Sequence, residues 1–425
     1  MKSRLKKIAG YEIVRNSSVL LGGNVLGQAV AFVAYPILTR IYSEADFGVF
    51  ALFSSLTGSL SIAATGRYED AFVVTKDKNE ASVMLRLTSI ILFVFSAAIF
   101  VILLFFRDLC FDLLKMESLN PYWLMIPVFI FASGMFSIFT NLSNREKYFK
   151  TMANANFLFN LLSSLCKIGA SFIKKSAVGL ISGQVVGQIL ACFSFWKLRD
   201  YIKNALSVNN IQTREVAKKY IEYPCYNMPR TFINSVSSNL PFLVLPGIFG
   251  DAKTGLYFMA FNLVFRPVNL ASNSVYQVIF EKTSSLKRQN LKISPVINEI
   301  RNKTLYFILP CFVAAFFAAP VVFKYFLGVN WEESGVYCRY ILPWIFIVLL
   351  TSPMSFIPLL FNRQKTAMYI EIAYFAARCA ALLAGIWLSD FKLTIILFAS
   401  AGFIFMLITY VWYMSMVKKY EKNAV

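Results

Sequence analysis

Apolar stretches long enough to cross a lipid bilayer recur along almost the whole chain of 425 residues. A helix needs about 20 mostly apolar residues to cross the hydrocarbon core. Charged residues make up 15% of the sequence, whereas soluble proteins carry roughly 25%. The pattern predicts an all-α polytopic membrane protein with twelve transmembrane helices. The predicted spans are 14–38, 48–73, 84–106, 120–143, 153–173, 176–196, 225–248, 255–280, 303–327, 335–361, 367–388 and 391–415.

Lysine and arginine are distributed unevenly between alternate loops. With the N-terminus in the cytoplasm, 29 of the 42 basic residues fall in cytoplasmic segments and the span ends next to them, eight in external segments and the span ends next to them, and the remaining five deeper in the spans. Cytoplasmic loops of membrane proteins carry the excess of basic residues. We therefore expect both termini in the cytoplasm, and we interpret the first span as a membrane helix and not a cleaved signal peptide. The same topology accounts for most of the net charge of +20, so no nucleic-acid partner is predicted.

Two short segments of the first half of the chain are echoed in the second half. Residues 41–50 align without a gap with 248–257, and 144–147 align with 362–365. Both pairs connect equivalent spans, which indicates a duplicated unit of six helices. Transporters built from parallel repeats place the substrate between the two halves. The predicted domains are an N-terminal bundle over 1–196, a cytoplasmic linker over 197–224 and a C-terminal bundle over 225–425. Residues 213–223 of that linker fit an interfacial helix and a solvated linker equally well.

Three basic residues fall near the middle of predicted spans: Lys167, Arg266 and Arg378. A cation at the centre of a membrane helix costs about 2.5–3.5 kcal/mol on insertion scales, so each must face a cavity, a partner or a ligand. Glu371 lies two turns from Arg378 on the same helical face and is a candidate partner for it. Lys167 and Arg266 have no acidic residue in their own spans. The imbalance predicts a lumen that receives an anion.

Two further arginines lie closer to the ends of their spans. Arg230 is about two turns inside the cytoplasmic end of the seventh span, and Arg339 is at the outer end of the tenth. Long basic side chains at this depth can extend to the membrane surface. Snorkelling explains Arg339, whereas Arg230 either snorkels or faces the lumen.

Polar side chains follow one face of several predicted helices at helical spacing. A single asparagine is explained equally well by a hydrogen bond between helices, whereas a stripe of five polar residues that includes an arginine favours a wet cavity. Arginine donates paired hydrogen bonds to phosphate, and amides suit sugar hydroxyls. The predicted ligand is therefore phosphorylated and glycosylated. The stripes are Ser17, Asn24 and Gln28; Asn156, Asn160, Ser164, Lys167 and Ser171; Asn227, Arg230, Asn234 and Ser238; Asn262, Arg266, Asn269, Asn273 and Gln277; and Glu371, Tyr374 and Arg378.

The sequence contains no histidine, and its seven cysteines form no C-x-x-C pair. Histidine is the commonest general base and metal ligand in proteins. No catalytic residue, metal site or cofactor is predicted.

Three segments resemble the polysaccharide-export branch of the MATE-like flippase superfamily, the Wzx-type flippases of O-antigen and capsule repeat units. They are the loop 39–52, Gly66–Ala71 after the second span and Ala217–Pro224 before the seventh, and the resemblance extends over essentially the whole chain. It implies two pseudo-symmetric six-helix bundles in a V around a cationic cavity, in the bacterial cytoplasmic membrane. The implied substrate is an oligosaccharide on an undecaprenyl diphosphate carrier. The implied partners are membrane lipid and other membrane proteins of glycan assembly.

The resemblance also implies roles for individual residues. The lumen role falls on the four cations Lys167, Arg230, Arg266 and Arg378, with the asparagines of the stripes beside them. The second-helix motif contains Arg67, Glu69 and Asp70, whose opposite charges form either an inner gate or a structural ion pair. The polar stripes themselves add the candidate lumen asparagines Asn24, Asn160, Asn234, Asn262, Asn269 and Asn273.

Three other functions stay open at this point. A lipid II-type flippase shares the predicted features, and a MATE-type exporter of small molecules shares the fold. An exporter of cations generally needs an acid inside the membrane, and the span interiors offer only Glu371. A membrane glycan polymerase or ligase usually has a large external loop, which the predicted topology lacks. We therefore expect a transporter and not an enzyme.

Overall fold

Twelve long helices account for most of the molecule. The computed structural model describes residues 2–289 and 291–424, together with the side chains of 22–276, 278–287, 289 and 291–422. These residues form helices and connecting turns but no strand, which confirms the predicted all-α architecture. Ser17 and Gln277 lie outside the described side chains. The helices are α1 Lys2–Ile41, α2 Glu44–Ala63, α3 Lys78–Leu114, α4 Met125–Arg145, α5 Phe149–Ala170, α6 Ala177–Cys192, α7 Met228–Val244, α8 Asp251–Arg288, α9 Leu309–Leu327, α10 Glu332–Thr351, α11 Gln364–Trp387 and α12 Phe391–Ala424.

The polar stripes change the hydropathy of two of these helices. Among the described residues, ten helical stretches are long and apolar enough to cross a membrane, by length and composition alone. The two long helices outside that set are α5 and α8, which carry the two five-residue stripes predicted from the sequence. Both helices therefore combine membrane length with a polar face.

Glycine pairs at a spacing of four let α1, α5 and α6 pack closely. A methyl group on Gly23 would lie 2.5 Å from the Ala153 side chain, and one on Gly187 would lie 2.6 Å from the Ser163 backbone. Gly27 and Gly183, one turn away from each, face α5 at similar range. Small residues at this spacing are a common way for membrane helices to approach each other. The stripe of α5 is therefore held between two neighbouring helices.

The repeat predicted from the sequence has a counterpart in the contacts near α2. Gly48 and Gly255 are aligned by the echo, and so are Glu44 and Asp251. A methyl group on Gly48 would overlap the carbonyl oxygen of Asp251, and one on Gly255 would overlap that of Glu44. Each glycine therefore packs against the backbone of the other repeat, in reciprocal contacts that fit a duplicated unit.

Helix α2 ends ten residues before the end of its predicted span, 48–73. Gly66 and Arg67 have positive φ angles of 60° and 58°, a left-handed conformation that stops a right-handed helix and that residues other than glycine rarely adopt. A short 3-10 turn, Tyr68–Val74, follows. The apolar residues of this turn extend the hydropathy of the span without extending its helix.

The chain divides into two compact units, Met1–Gly255 and Leu256–Val425. The predicted division into bundles at 1–196 and 225–425 stays a prediction. The predicted linker, 197–224, contains two short helices, Arg199–Ser207 and Asn210–Lys219. The second of them begins with an Asn209 cap. This helix covers residues 213–219 of the segment 213–223. The position of that segment at a membrane surface stays a prediction.

Candidate ligand-binding residues in each unit

Arg266 lies on an exposed face of α8, in the middle of the predicted stripe. Its Nε donates a hydrogen bond to Oδ1 of Asn262 at 2.8 Å, and Asn262 Nδ2 donates to the Phe258 carbonyl at 2.9 Å. Asn262 is thus fixed by its own helix and orients the guanidinium. Among the described residues, no further hydrogen bond to this guanidinium is recorded, so both terminal amino groups can receive an anion.

The rest of this stripe is also exposed. Asn269 and Asn273 are exposed on α8, and Nδ2 of Asn273 lies 3.4 Å from Oδ1 of Asn269. Pro267 sits inside the helix and has no N–H for the carbonyl of Leu263, one turn earlier. The face therefore presents amide groups and one helix carbonyl beside Arg266.

Lys167 lies in the last turn of α5, closer to a helix end than the sequence predicts. Its Nζ donates to Oε1 of Gln184 on α6 at 2.7 Å and lies 4.5 Å from the centre of the Phe50 ring. Ser163 Oγ is 3.1 Å from the same Gln184 oxygen. An uncharged amide and a ring face are thus among the contacts that hold this cation.

Sequence reasoning did not identify Gln184 as part of the site. One signal was available: Gln184 is a large polar residue between two glycines, Gly183 and Gly187, in a largely apolar helix. Glycines at such positions mark close helix packing, and a polar side chain in a close contact needs a partner from the facing helix. Lys167 is that partner.

One asparagine pair joins α1 to α5, and a third asparagine bonds within α5. Asn156 Nδ2 donates to Oδ1 of Asn24 at 2.9 Å, and Asn160 Nδ2 donates to the Asn156 carbonyl at 2.8 Å. The Asn24–Asn156 bond matches the alternative of hydrogen bonds that join helices, whereas Asn160 bonds within its own helix. The lumen role of Asn24 and Asn160 stays a prediction.

Two of the predicted lumen residues lie on α7. Arg230 and Asn234 are both exposed, and they are one turn apart on that helix. The preceding π-type turn, Tyr223–Asn227, contains Pro224. The exposed pair is accessible to a ligand, and its lumen role stays a prediction.

Arg378 on α11 is surrounded by aromatic rings. Its guanidinium carbon lies 4.1 Å from the ring centre of Tyr374, 5.0 Å from Trp344 and 5.1 Å from Phe398, and the residue is 5% exposed. A desolvated cation over an aromatic face gains about 2 kcal/mol. The predicted alternative of a pair with Glu371, which is exposed, stays open. The guanidinium is packed away from solvent, unlike that of Arg266.

Arg339 donates two hydrogen bonds to the backbone of α9, and its snorkelling stays a prediction. Its Nε donates to the Phe316 carbonyl at 2.7 Å, and Nη2 donates to the Phe317 carbonyl at 2.8 Å. Pro320 lies in α9 and has no N–H for Phe316. The arginine therefore supplies a donor that the proline removes.

The second-helix motif forms an ion pair at the end of α2. Arg67 Nη2 lies 2.9 Å from Oδ2 of Asp70, and Nη1 lies 3.8 Å from Oε1 of Glu69. Asn227, just before α7, donates to the same Asp70 oxygen at 2.7 Å. The cluster thus joins the end of α2 to the start of α7, which fits both a gate and a structural ion pair.

Glu69 is the buried member of this cluster, at 1% exposure. It lies beyond the end of α2, and burial raises the pKa of its carboxyl above the usual 4.5, against the lowering effect of Arg67. Its Oε2 atom is buried without a hydrogen-bond partner among the described residues. Burial and the charge of Arg67 therefore act on the pKa of Glu69 in opposite directions, and the effect of burial is the larger.

The described residues contain no group of three or more acidic, histidine or cysteine side chains that could hold a metal ion.

Comparison with known proteins identifies the family. Residues 37–336 match the family described as polysaccharide biosynthesis protein, which is more than half of the chain. No curated protein matches the sequence. The family match thus extends from the end of α1 into α10.

Solved structures share the fold over almost the whole chain. The lipid II flippase MurJ in an inward closed conformation has a TM-score of 0.71 at 15% identity, covering 97% of this chain and 90% of that chain. An inward-facing multidrug resistance transporter of the MATE family, in the MOP superfamily, has a TM-score of 0.66 at 13% identity, covering 95% and 96%. A MOP superfamily transporter from Pyrococcus furiosus, described as having a binding pocket of reverse polarity, has a TM-score of 0.54 at 13% identity, covering 96% of each chain.

Identities this low show a common fold and leave the ligand open, whereas the family match extends to the pathway in which the protein acts. The chain therefore belongs to the polysaccharide biosynthesis protein family, as the resemblance to Wzx-type flippases predicts, and has the multi-pass membrane fold of MATE transporters and the lipid II flippase.

Proposed function

We propose that the protein moves an oligosaccharide linked to undecaprenyl diphosphate from the inner to the outer leaflet of the bacterial cytoplasmic membrane. One observation carries the proposal: Arg266 holds a guanidinium on an exposed polar face of α8 with both terminal amino groups open. Such a group binds phosphate oxygens through paired, charge-assisted hydrogen bonds. In a family of polysaccharide biosynthesis proteins, a lipid diphosphate is the anion that fits it.

Each unit contributes further predicted residues. Lys167 and Arg230 add positive charge, and Asn234, Asn269 and Asn273 offer amides to sugar hydroxyls. The prenyl tail stays in the bilayer while the diphosphate and sugars occupy the lumen. Arg378 contributes positive charge from behind its aromatic rings, or contacts ligand in a conformation that opens them.

The proposed topology places both termini in the cytoplasm, because the basic loops then lie inside. The reciprocal contacts at Gly48 and Gly255 then lie at the external ends of their helices, and the Arg67 cluster lies at the cytoplasmic end. Alternating access requires closing one end while the other opens. The Gly48 and Gly255 contacts are therefore candidates for an external gate, and the Arg67 cluster is a candidate for a cytoplasmic gate. In such a cycle one gate opens while the other is closed. Other membrane proteins of glycan assembly are the expected partners.

The first experiment locates the lipid-linked glycan in cells that lack the gene. A flippase predicts accumulation on the inner leaflet, with loss of surface glycan. Complete but unpolymerised units on the outer face would instead indicate a polymerase or ligase and would overturn the proposal.

Substitutions then connect transport to the charges. Arg266→Ala and Lys167→Ala are expected to abolish surface glycan while the protein still inserts in the membrane. Lys253→Ala, an exposed cation on the same helix as Arg266, is the matched control and should retain transport. Full surface glycan in both lumen variants would contradict the anion-binding role.

Two related transporters are distinguished by their substrates. A lipid II-type flippase would restore cell-wall synthesis in cells depleted of their own lipid II flippase and would not restore the surface glycan. A MATE-type exporter would change resistance to small cationic compounds. Complementation with defined repeat units separates these outcomes from the proposed one.

A further inference from the structure

Two neighbouring pockets in the first unit form one continuous groove along α3 and α4. One, of about 640 Å³, is lined by Phe100, Leu124 and other apolar residues of α3, α4 and α6. The second, of about 470 Å³, lies toward the short helix Arg199–Ser207. Both volumes are in the range of ligand sites, roughly 300–1,000 Å³. Three residues line both pockets and join them: Phe93, Met135 and Phe139.

The groove has the length of a lipid chain. It extends along α3 from Arg86 to Phe100, which corresponds to about 21 Å at 1.5 Å per residue. One leaflet contributes about half of the 30 Å hydrocarbon core. The groove therefore reaches beyond the bilayer midplane, and its apolar walls exclude a polar occupant over most of that distance.

A cation without an acidic partner lies at one end of the groove. Arg86 lines the second pocket, and its two terminal nitrogens donate to the Val208 carbonyl and, at 2.8 Å, to Oδ1 of Asn210. Both acceptors are uncharged. Lys203 is exposed on the short helix whose Ile202 also lines this end. Among the described residues, no carboxylate within salt-bridge distance of Arg86 or Lys203 is recorded, so the end of the groove keeps its positive charge.

We propose that this groove binds one anionic phospholipid of the membrane, with its phosphate at Arg86 and Lys203 and one acyl chain along Phe93, Met135 and Phe139. The charge selects an anionic headgroup, and the apolar length selects a full acyl chain. Bound there, the lipid connects α3 and α4 with the short helix Arg199–Ser207. This site is separate from the polar stripes and does not depend on the transported substrate.

The second unit contains a natural comparison. A pocket of about 360 Å³ is formed by the equivalent helices α9, α10 and α12, around Phe312, Val313 and Phe403. No charged residue lines it, so it is expected to hold a chain without preference for the headgroup.

The test compares phosphatidylglycerol and phosphatidylcholine of the same chain composition, added to the purified full-length protein and measured by native mass spectrometry. We expect one phosphatidylglycerol to be retained about tenfold more strongly than phosphatidylcholine. Arg86→Gln should remove the preference, and Arg86→Lys should keep most of it. Ala97→Trp, which fills the groove, should remove the bound lipid, whereas Val313→Trp in the other pocket should not.

Three results would overturn the proposal. They are equal retention of both lipids by the unaltered protein, an unchanged preference in Arg86→Gln, and displacement of phosphatidylglycerol by equimolar undecaprenyl phosphate, which would assign the groove to the carrier. If Ala97→Trp does not give a monodisperse protein, the Arg86→Gln and Arg86→Lys pair decides the question by itself.

Discussion

Two arginines of the second unit, Arg266 and Arg378, occupy similar positions in the sequence and opposite environments in the structure. Both lie well inside long helices, and both are followed or preceded by apolar residues. Arg266 is exposed and has one recorded hydrogen bond, to Asn262. Arg378 is 5% exposed and packs against three aromatic rings. A cation within a membrane helix thus either packs against neighbouring side chains or stays accessible to a ligand. Substitution of the first kind should change stability, and substitution of the second kind should change transport.

The largest expected effect is on stability, at the packed arginine. Arg378→Ala removes a large buried side chain and its contacts with Tyr374, Trp344 and Phe398, so the free energy of unfolding should fall by about 3 kcal/mol. Arg266→Ala, at an exposed position, should change it by less than about 0.5 kcal/mol. Denaturation of the two purified variants in the same detergent measures the difference. A stable Arg378→Ala protein that does not transport would remove the contrast and would place Arg378 among the ligand contacts.

A second stability difference concerns two glycines of α2. An alanine at Gly48 would overlap the Asp251 carbonyl, and overpacking of this kind costs about 1–3 kcal/mol. Gly58 has nothing within 4 Å of the position of a methyl group. Gly58→Ala should therefore stabilise the protein by about 0.5–1 kcal/mol through helix propensity. Opposite signs in the two melting temperatures are expected, and equal shifts would mean that the Gly48 contact is not close.

A smaller effect is expected at the residue that orients Arg266. Asn262→Ala leaves the charge in place and removes the acceptor of its Nε, so transport should fall about tenfold while the melting temperature is kept. Asn239→Ala is the control, because Asn239 also bonds within its own helix, to the Ser235 carbonyl at 3.0 Å. Transport should be close to normal in that variant. Equal losses in both would show that the amides act through helix stability.

The smallest effect is a change in the pH dependence of stability at Glu69. Burial raises its folded-state pKa above 4.5, so its stabilising contribution is complete below pH 4.5 and is lost as the pH rises through the folded-state pKa. Glu69→Gln cannot ionise, and its stability should fall less than that of the unaltered protein over this interval. Melting curves between pH 4.5 and 8 measure both slopes. Identical slopes would show that Arg67 fully compensates the carboxylate.

The sequence was sufficient for the architecture and for the polar face of α8. The length and number of apolar spans predict twelve helices, and the spacing of Asn262, Arg266, Asn269 and Asn273 predicts the exposed face of α8. Hydropathy could not reveal the end of α2, since the apolar turn Tyr68–Val74 resembles helix in composition.

The environments of individual cations could not be predicted in the same way. The rings around Arg378 come from its own helix and from the two helices beside it in the sequence, α10 and α12, and single-helix patterns do not show how these helices pack. The partner of Lys167, Gln184, likewise comes from a neighbouring helix. Periodicity identifies which face of a helix is polar. Only the packing of neighbouring helices determines whether that face is covered by other side chains or exposed.

The central claim, that Arg266 is held open to bind a diphosphate, is tested most directly by equilibrium binding. Farnesyl diphosphate serves as a short analogue of the carrier, titrated into the purified protein and its Arg266→Ala and Arg266→Lys variants. We predict a Kd at least about tenfold weaker for Arg266→Ala, equivalent to about 1.4 kcal/mol, with an intermediate value for Arg266→Lys because lysine keeps the charge without the paired donors. An unchanged Kd in Arg266→Ala would contradict the account.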